Sequence, residues 1–219
     1  MKVIDNRKND ILIEREIASF LDKNLYSNSD IFSSFIRTDG LRDQVEGSDV
    51  LLTTFDGNLK NVIVDEKVAS RFANRNLETF SLELSFIGKN GCRREGWLLD
   101  KTKKTQYYLL GWIINADIPD LKNGLYDCDK LNRHNIHELD WALVSKEKIF
   151  EFLKKRGWDL EKLCNQEEKI RRNREVKTRD FVNDVSFRYS KKYIEQPINI
   201  LLKKDTYFEI SDYNGKILA

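Results

Sequence analysis

The segment from Asp49 to Ala69 most constrains the fold, because two strand-like stretches flank a turn signal within it. The sequence DVLLTTF begins at Asp49, the dipeptide Asp56-Gly57 follows, and NLKNVIVDEKVA continues to Ala69. Asp-Gly between two apolar, β-branched stretches is a strong signal for a β-hairpin. The sequence therefore predicts an antiparallel pair of strands joined by a two-residue turn, and the alternation of side chains along each strand decides which residues share a face.

Charged side chains of this hairpin are predicted to converge. On the second strand, Asp65 and Lys67 point to one face and Glu66 points to the other. Counting outward from the turn places Asp49, at the start of the first strand, opposite Asp65 or the residue before it. We therefore expect the two aspartates to lie across neighbouring strands, within reach of one hard cation such as Mg²⁺, whose preferred ligands are carboxylate oxygens.

Lys67 suits a position beside such a cation in phosphodiester hydrolysis. The metal acts as a Lewis acid, while an ammonium group orients or helps to deprotonate the attacking water, or stabilises charge that grows on a phosphodiester oxygen. The alternative for Asp49, Asp65 and Lys67 is a cross-strand salt bridge on an exposed sheet, which contributes little to stability. The apolar residues before Asp65 favour the first interpretation, because they predict a buried strand in which unpaired charges are costly.

Asp49, a spacing of fifteen residues, and the run Asp65-Glu66-Lys67 in the apolar setting VIVDEKVA together resemble the PD-(D/E)XK nuclease superfamily. The likeness covers roughly residues 10 to 115 and implies a restriction-endonuclease-like core. It further implies metal-dependent hydrolysis of DNA, with Mg²⁺ or Mn²⁺ held by Asp49 and Asp65 and with catalytic assistance from Lys67.

The resemblance also implies a glutamate supplied by the upstream helix, for which Glu14 and Glu16 are the candidates. Alternation over TFSLELSF predicts a third strand whose polar face carries Glu83, a candidate third carboxylate near the metal, and the alternative for Glu83 is a solvent-facing position. The DEK strand, a later LE-containing strand and a GW…KT…YY segment are together similar to a bacterial branch of the superfamily. Ser48 stands where the family pattern has proline, and the helix expected between the third and fourth strands is short.

Basic residues are clustered, although the net charge is close to zero. The chain has 38 basic and 36 acidic residues, and its net charge of +2 does not by itself indicate a nucleic-acid partner. The runs 89–104 and 169–179 are rich in lysine and arginine and would suit contact with a phosphate backbone, whereas the alternative is a solvated surface. The residues predicted to contact nucleic acid, DNA rather than RNA, are Arg71, Arg75, Arg93, Arg94, Lys101, Lys103 and Lys104.

Hydrophobic periodicity predicts the remaining elements. In the first half of the chain we expect a helix from about Ile11 to Leu25 capped by Asp10, a loop or short helix to residue 40, the hairpin and third strand as a meander, and a short helix. A buried strand centred on Leu109 and a short strand at 141–144 should follow. The last part should contain a helix capped by Ser145 and ending near Gly157, a second charged helix over 159–176, and a strand at 198–202.

This order predicts a mixed α/β fold, with a restriction-endonuclease-like mixed β-sheet core flanked by helices and a small C-terminal α/β extension. Residues 1–145 form the predicted nuclease-like core, and residues 146–219 form a helical extension packed on it within one structural domain. The three cysteines are too scattered for a disulfide framework. Without a signal-peptide-like or membrane-length apolar run, the chain is expected to be cytoplasmic and to have no membrane partner.

Two alternatives to a nuclease stay open at this point. One is a catalytically inactive nucleic-acid-binding or interaction module with the same fold, and the other is a hydrolase of a small phosphorylated molecule. A stability shift on addition of Mg²⁺ or Mn²⁺ separates the metal-dependent enzymes from the inactive module. The oligomeric state is left open, with a dimer among the options.

Overall fold

A computed structural model describes residues 7–38, 46–122, 124–174, 181–182 and 184–219. Its chain divides into two compact units, each made of discontinuous segments. The large-sheet unit comprises the described residues within 6–77, 104–145 and 211–219, and the small-sheet unit comprises those within 78–103 and 146–210. This division differs from the boundary at residue 145 expected from the sequence, because residues 78–103 group with the later helices and residues 211–219 group with the first part of the chain.

Consecutive segments of the chain belong in turn to the large-sheet unit and to the small-sheet unit. In chain order the elements are α1 (Arg7–Leu21), a π-helix (Asp22–Tyr26), β1 (Phe32–Arg37), β2 (Val50–Thr54), β3 (Val62–Val68), a 3-10 turn (Ser70–Phe72), β4 (Thr79–Ile87), β5 (Arg93–Glu95), β6 (Tyr107–Ala116), β7 (Asp120–Lys122), β8 (Leu125–Tyr126), a 3-10 turn (Cys128–Lys130), β9 (Ile136–Ser145), α2 (Lys146–Lys155), α3 (Leu160–Asn173), β10 (Ser186–Tyr189), β11 (Ile198–Lys203), α4 (Lys204–Ile210) and β12 (Tyr213–Leu218).

The large-sheet unit is a mixed β-sheet packed against α1. Its strand order is β1-β2-β3-β6-β9-β12, and every neighbouring pair is antiparallel except β3 and β6, which are parallel. The apolar stripe of α1 and residues of β2, β3 and β6 form one buried cluster that includes Ile13, Ile17, Phe20, Val50, Leu52, Val64 and Leu109. The general α/β class predicted from the sequence is confirmed, because a mixed sheet and helices share one hydrophobic core.

The hairpin of β2 and β3 is confirmed, and its register is the one obtained by counting from Gly57. Val50 lies opposite Val64 and Leu52 lies opposite Val62, so the pairs are symmetrical about Gly57. The predicted two-residue turn is wrong in length, because the reversal spans residues 55–61 between the strands. Gly57 has a φ of +73°, a left-handed conformation that glycine adopts without steric cost.

The first helix is confirmed as α1, but its predicted cap and the predicted loop after it are wrong. The helix begins at Arg7, so Asp10 lies in its first turn and is not its cap, and the carboxylate of Asp10 instead accepts hydrogen bonds from Arg71. The segment expected as a loop or short helix contains β1, which pairs with β2 along the edge of the large sheet. The part of that segment at residues 39–40 lies outside the described residues.

The predicted meander is also wrong, because β4 does not pair with β3. The next neighbour of β3 is β6, and β4 instead belongs to the sheet of the small-sheet unit, whose order is β10-β11-β4-β5. The residues between β4 and β6 contain β5 and turns, where a short helix was predicted. Alternating polarity identified β4 correctly as a strand, but alternation carries no information about which sheet a strand joins.

The small-sheet unit packs helices on an antiparallel sheet. The predicted helix ending near Gly157 corresponds to α2, and the charged helix corresponds to α3, which is capped by the Asp159 side chain accepting from the Lys162 amide. The end of the predicted charged helix, residues 175–176, lies outside the described residues. A Cβ atom at position 96 would lie 2.4 Å from the Glu83 carbonyl oxygen, so glycine is required for this segment to approach β4.

A buried ionic network joins α3 to β4 and β5 within this unit. The Glu167 side chain has no exposed surface, and it accepts hydrogen bonds from Ser85, from Arg93 at 2.9 Å and from Arg171 at 2.9 Å. The Arg171 guanidinium also donates to Ser85 Oγ at 2.6 Å. Burial alone would raise the pKa of Glu167, but hydrogen bonds from Arg93, Ser85 and Arg171 lower it below its ordinary value. The carboxylate is therefore charged and fully satisfied.

Candidate functional site

The run Asp65-Glu66-Lys67, called the DEK run below, lies in the part of β3 that extends past its pairing with β2. The last residue pair of the hairpin is Val50 with Val64, and the Asp49 amide donates to the Val64 carbonyl at 2.9 Å. From Asp65 onward, β3 continues alongside β6 only, among the residues described for these strands. The Glu66 amide on this opened side donates to Asp49 Oδ2 at 2.7 Å. Asp49 is therefore held by the backbone of the DEK run itself.

Asp65 and Lys67 share one face of β3, as strand parity predicted. The Lys67 ammonium forms an ion pair with Asp65 Oδ1 and lies 3.4 Å from the Glu66 carbonyl oxygen. Asp65 is only 4% exposed, and Tyr108 of β6 is its register partner. Taking the Asp65 charge out of water costs free energy, and close contact with the Lys67 ammonium offsets part of that cost. This contact therefore keeps the lysine next to the aspartate.

Burial raises the pKa of Asp65 to about 6. Lys67 opposes this rise, while the charge of Asp49 and a hydrogen-bond contact between the two carboxyl groups add to it. The pKa of Tyr108 is also raised, first by burial and then by the charge of Asp65. The Asp49 carboxylate thus lies close enough to disfavour the ionisation of the buried Asp65.

The charge on Lys67 is set by the surrounding carboxylates. Burial alone would lower its pKa, but Asp65, Asp49 and Glu14 together raise it above the ordinary value. The side chain of Lys67 is 30% exposed, so part of it faces solvent on the opened side of the sheet. The two aspartates therefore form an acidic pair in which Asp65 is buried and Asp49 is half-buried, with the Lys67 cation at its border.

Glu14 and Glu16, the two candidate glutamates of α1, have different surroundings. Glu14 is exposed on α1. Partial burial raises its pKa, Lys67 opposes the rise, and Asp10 and Asp49 add to it, so Glu14 lies within electrostatic reach of the candidate site. Glu16 instead accepts a hydrogen bond from the Arg133 amide at 3.1 Å and pairs with the Arg133 guanidinium at 3.7 Å. Glu14 is thus within electrostatic reach of Asp49 and Lys67, whereas Glu16 contacts Arg133 of another loop.

Glu66 points away from Asp65 and Lys67, as predicted, and meets residues that the sequence did not single out. Its carboxylate accepts hydrogen bonds from Tyr26 at 2.8 Å and from Arg37 at 2.5 Å. Burial raises the pKa of Glu66, while Arg37 and Tyr26 oppose the rise. No sequence signal identified Arg37, because it lies at the end of β1, in a segment whose polar residues resemble a loop.

Glu83, the candidate third carboxylate, lies on β4 in the small-sheet unit, opposite Asn199 of β11. The residues grouped around Asp65 belong to the large-sheet unit. A role of Glu83 near the metal stays a prediction, and the proposal below does not depend on it.

The basic residues predicted to contact nucleic acid differ in how far their charges are already paired. Arg71 pairs with Asp10 and Asp129, Arg93 pairs with Glu167, and Lys104 pairs with Glu46 at 2.7 Å. The exposed members are Arg75, Arg93, Arg94, Lys101 and Lys104, and Lys103 is half-buried. In the run 169–179, residues 175–179 lie outside the described residues. Contact with nucleic acid stays a prediction for all seven.

Within the part of the chain that the structure describes, no cluster of three or more His, Cys, Asp or Glu side chains has a metal-binding arrangement. In the same residues no helix has both the length and the apolar character needed to cross a bilayer. Comparison of the chain with protein-family models, with curated proteins and with solved structures finds no match in any of the three. Function must therefore be inferred from the geometry and charge of the site.

The metal-free protein should become less stable relative to an Asp65→Asn variant as the pH rises. The folded pKa of Asp65, about 6, lies above its ordinary value of 3.8, so the folded state binds this proton more tightly than the unfolded chain. The contribution of Asp65 to stability is complete below about pH 4 and is lost as the pH rises through about 6. Between those limits we expect the difference in unfolding free energy to shift by about 2–3 kcal/mol in favour of the variant.

Urea unfolding in EDTA at a series of pH values measures this difference. Comparison of the two proteins removes the contributions of the titrating groups that lie away from Asp65. A difference that stays constant from about pH 4 to about pH 7 would show that Asp65 titrates alike in the folded and unfolded states.

Proposed function

We propose that this protein is a divalent-metal-dependent nuclease that hydrolyses phosphodiester bonds in DNA, and that its large-sheet unit is a restriction-endonuclease-like core. The observation that carries the proposal is the placement of Asp49, Asp65 and Lys67 together on the side of β3 that β2 leaves open. A second carboxyl group and a lysine ammonium around the buried Asp65 carboxylate are costly to assemble, and such costs are typical of functional sites.

The topology of the large sheet supports the fold proposed for this unit. A helix precedes three consecutive antiparallel strands, and the next strand of the sheet lies parallel to the third. Asp49 lies directly before β2 and the DEK run lies within β3, so the hairpin on which the resemblance rests is present. The residues between β4 and β6 contain β5 and turns, where the resemblance leads one to expect a helix.

The donor set fits a small hard cation. Asp49 and Asp65 would hold the ion, because Mg²⁺ is commonly bound through one or two carboxylates while it keeps several water ligands and meets substrate phosphates. A site of this kind does not need a preformed cluster of three ligands. A cation there would offset the repulsion between the two carboxyl groups, and when bound it supplies a Lewis acid for phosphodiester hydrolysis.

The residues of the chain have separate roles in this proposal. The Glu66 amide orients Asp49, since it donates to one oxygen of that carboxylate. Lys67, fixed by its ion pair with Asp65, presents a positive charge beside the acidic pair and would stabilise negative charge that develops on a phosphodiester oxygen. Glu14 on α1 would add a further acceptor for a water molecule or for the cation.

One observation favours the alternative of an inactive binding or interaction module. The ion pair between Lys67 and Asp65 partly satisfies both charges without a metal. In such a module the pair would serve only to complete a buried sheet surface, and added metal would not change its stability. The two hypotheses therefore differ in a simple measurement.

Titration with Mn²⁺ in a thermal-unfolding experiment is the first test. A ligand that binds only the folded state at 100 times its Kd stabilises it by about 2.7 kcal/mol, which corresponds to a rise in Tm of about 5–10 °C for a chain of this size. Incubation of Mn²⁺-loaded protein with linear and circular DNA should then give cleavage products, and EDTA should prevent their formation. RNA is the comparison substrate.

Glu14→Gln and Glu16→Gln form a matched pair on the same helix. We expect Glu14→Gln to weaken the Mn²⁺-dependent rise in Tm and to reduce cleavage, because Glu14 lies within reach of Asp49 and Lys67. Glu16→Gln should behave as wild type in both assays, because Glu16 binds Arg133. No rise in Tm and no cleavage for wild type would leave the inactive module as the better hypothesis, whereas metal binding with intact DNA and RNA would favour a small phosphorylated substrate.

A further inference from the structure

Glu66, the middle residue of the DEK run, is clamped on the face of β3 opposite Asp65 and Lys67. Its Oε1 accepts a hydrogen bond from the Tyr26 hydroxyl at 2.8 Å, and its Oε2 accepts one from Arg37 at 2.5 Å. The Glu66 side chain is 9% exposed. Both carboxylate oxygens are therefore directed by named donors, and the charge is balanced by a guanidinium group.

Arg37 connects four separate parts of the large-sheet unit through one guanidinium group. It donates to the Ala18 carbonyl of α1 at 2.9 Å and to Asp22 of the π-helix at 2.8 Å, in addition to its bond with Glu66 of β3. It also lies 5.7 Å from the centre of the Tyr26 ring. Because Arg37 itself lies at the end of β1, the group ties β1, α1 and the π-helix to β3.

The contacts of Glu66 and Arg37 are each linked to residues of the candidate site. The backbone amide of Glu66 donates to Asp49 Oδ2 at 2.7 Å, so the position of Glu66 along β3 determines the orientation of Asp49. Ala18 lies one helical turn after Glu14, so the bond from Arg37 to the Ala18 carbonyl anchors α1 one turn away from Glu14. Arg37 and Glu66 thus set the position of α1 relative to β3 next to Asp49 and Asp65.

We propose that Arg37 and Glu66 are positioning residues for the metal site, which hold Glu14, Asp49 and Asp65 at the separation that a divalent cation requires. This inference rests on the function proposed above. For stability alone, an apolar pair of similar volume often serves as well as a buried ion pair. A planar guanidinium group with fixed donor directions is needed when an element must be held in one orientation.

Two variants separate positioning from stability. In Arg37→Met/Glu66→Met both charges of the buried pair are removed together, while the Tyr26 hydroxyl and the half-buried Asp22 each lose a partner, so we expect a moderate fall in Tm. In Arg37→Lys the positive charge is kept, but the fork of donors is lost. In both variants we expect the Mn²⁺ affinity, measured by isothermal titration calorimetry, to fall by about 10- to 100-fold, which is the usual effect of disturbing residues that orient metal ligands.

Ile217→Val is the control for a loss of stability that does not involve the network. Ile217 is a buried residue of β12, which lies at the opposite edge of the large sheet from β1. This variant should lower the Tm modestly and leave the Mn²⁺ affinity as in wild type. A reduced affinity in the control as well would mean that metal binding follows overall stability, and the positioning role would be lost.

The outcomes distinguish this proposal from the one on which it rests. If wild type binds no Mn²⁺, the proposed function fails and the positioning role fails with it. If wild type binds Mn²⁺ and both Arg37 variants bind it equally well, only the positioning role is overturned. If Arg37→Met/Glu66→Met does not fold, Arg37→Lys decides, because it retains the charge that a structural role requires.

Discussion

Lys67→Met is expected to fold and to bind Mn²⁺, yet to cleave DNA about 10²–10³-fold more slowly than wild type. Lys67 lies against Asp65 at the border of the acidic pair. In the proposed mechanism its removal takes away a charge next to the phosphodiester but none of the proposed metal ligands. The Mn²⁺-dependent rise in Tm should persist, because loss of the lysine removes a competing cation from Asp65. Asp65→Asn should differ by losing both the rise in Tm and the cleavage.

Lys216→Met is a matched control for this substitution. Lys216 also pairs with two carboxylates, Glu138 and Asp140, but it lies on β12, away from β3 in the strand order of the same sheet. Lys216→Met replaces a lysine by methionine in the same way, and it should leave DNA cleavage and Mn²⁺ binding as in wild type. Wild-type cleavage by Lys67→Met, or a similar loss in the Lys216 variant, would remove Lys67 from the mechanism.

Glu167→Ala should give the largest loss of stability among the substitutions considered. The Glu167 carboxylate is fully buried and accepts hydrogen bonds from Ser85, Arg93 and Arg171. Removing one partner of a buried ionic network costs about 3–5 kcal/mol, since the remaining charges lose their compensation. Thermal unfolding should therefore show a fall in Tm of about 6–20 °C.

The pH dependence of this effect follows from the lowered pKa of Glu167. The folded-state pKa lies below the ordinary value, so the stabilisation by this carboxylate is present at neutral pH and is lost as the pH falls through the folded pKa. Glu168→Ala is the control, because Glu168 is the next residue of α3 and is exposed. Equal Tm values for the two variants would contradict a structural role for the network.

The sequence predicted the hairpin and its register because both depend on short-range chemistry. Asp56 and Gly57 mark the reversal, and antiparallel pairs then follow at equal distances on either side, which brings Asp49 opposite the DEK run. Strand parity likewise separated Glu66 from its neighbours Asp65 and Lys67. These features require no knowledge of the rest of the chain.

The features that the sequence did not predict depend on contacts between distant segments. β1 carries serine and arginine in place of a regular apolar alternation, and its position at a sheet edge allows that pattern. The choice between Glu14 and Glu16 requires the location of Arg133, which is far away in sequence. β3 and β4 belong to different sheets because β4 pairs with β11, a strand that is separated from it by a long stretch of chain.

The late position of β12 in the sequence has a consequence for biosynthesis. β12 covers the edge of β9 in the large sheet, but the segment 146–210, which belongs to the other unit, is translated between these two strands. At about 5–20 residues per second, the edge of β9 stays uncovered for several seconds or longer while the ribosome proceeds. During that interval the nascent chain presents an unpaired strand to its neighbours, so the sheet that holds the DEK run is completed only after the intervening unit has been made.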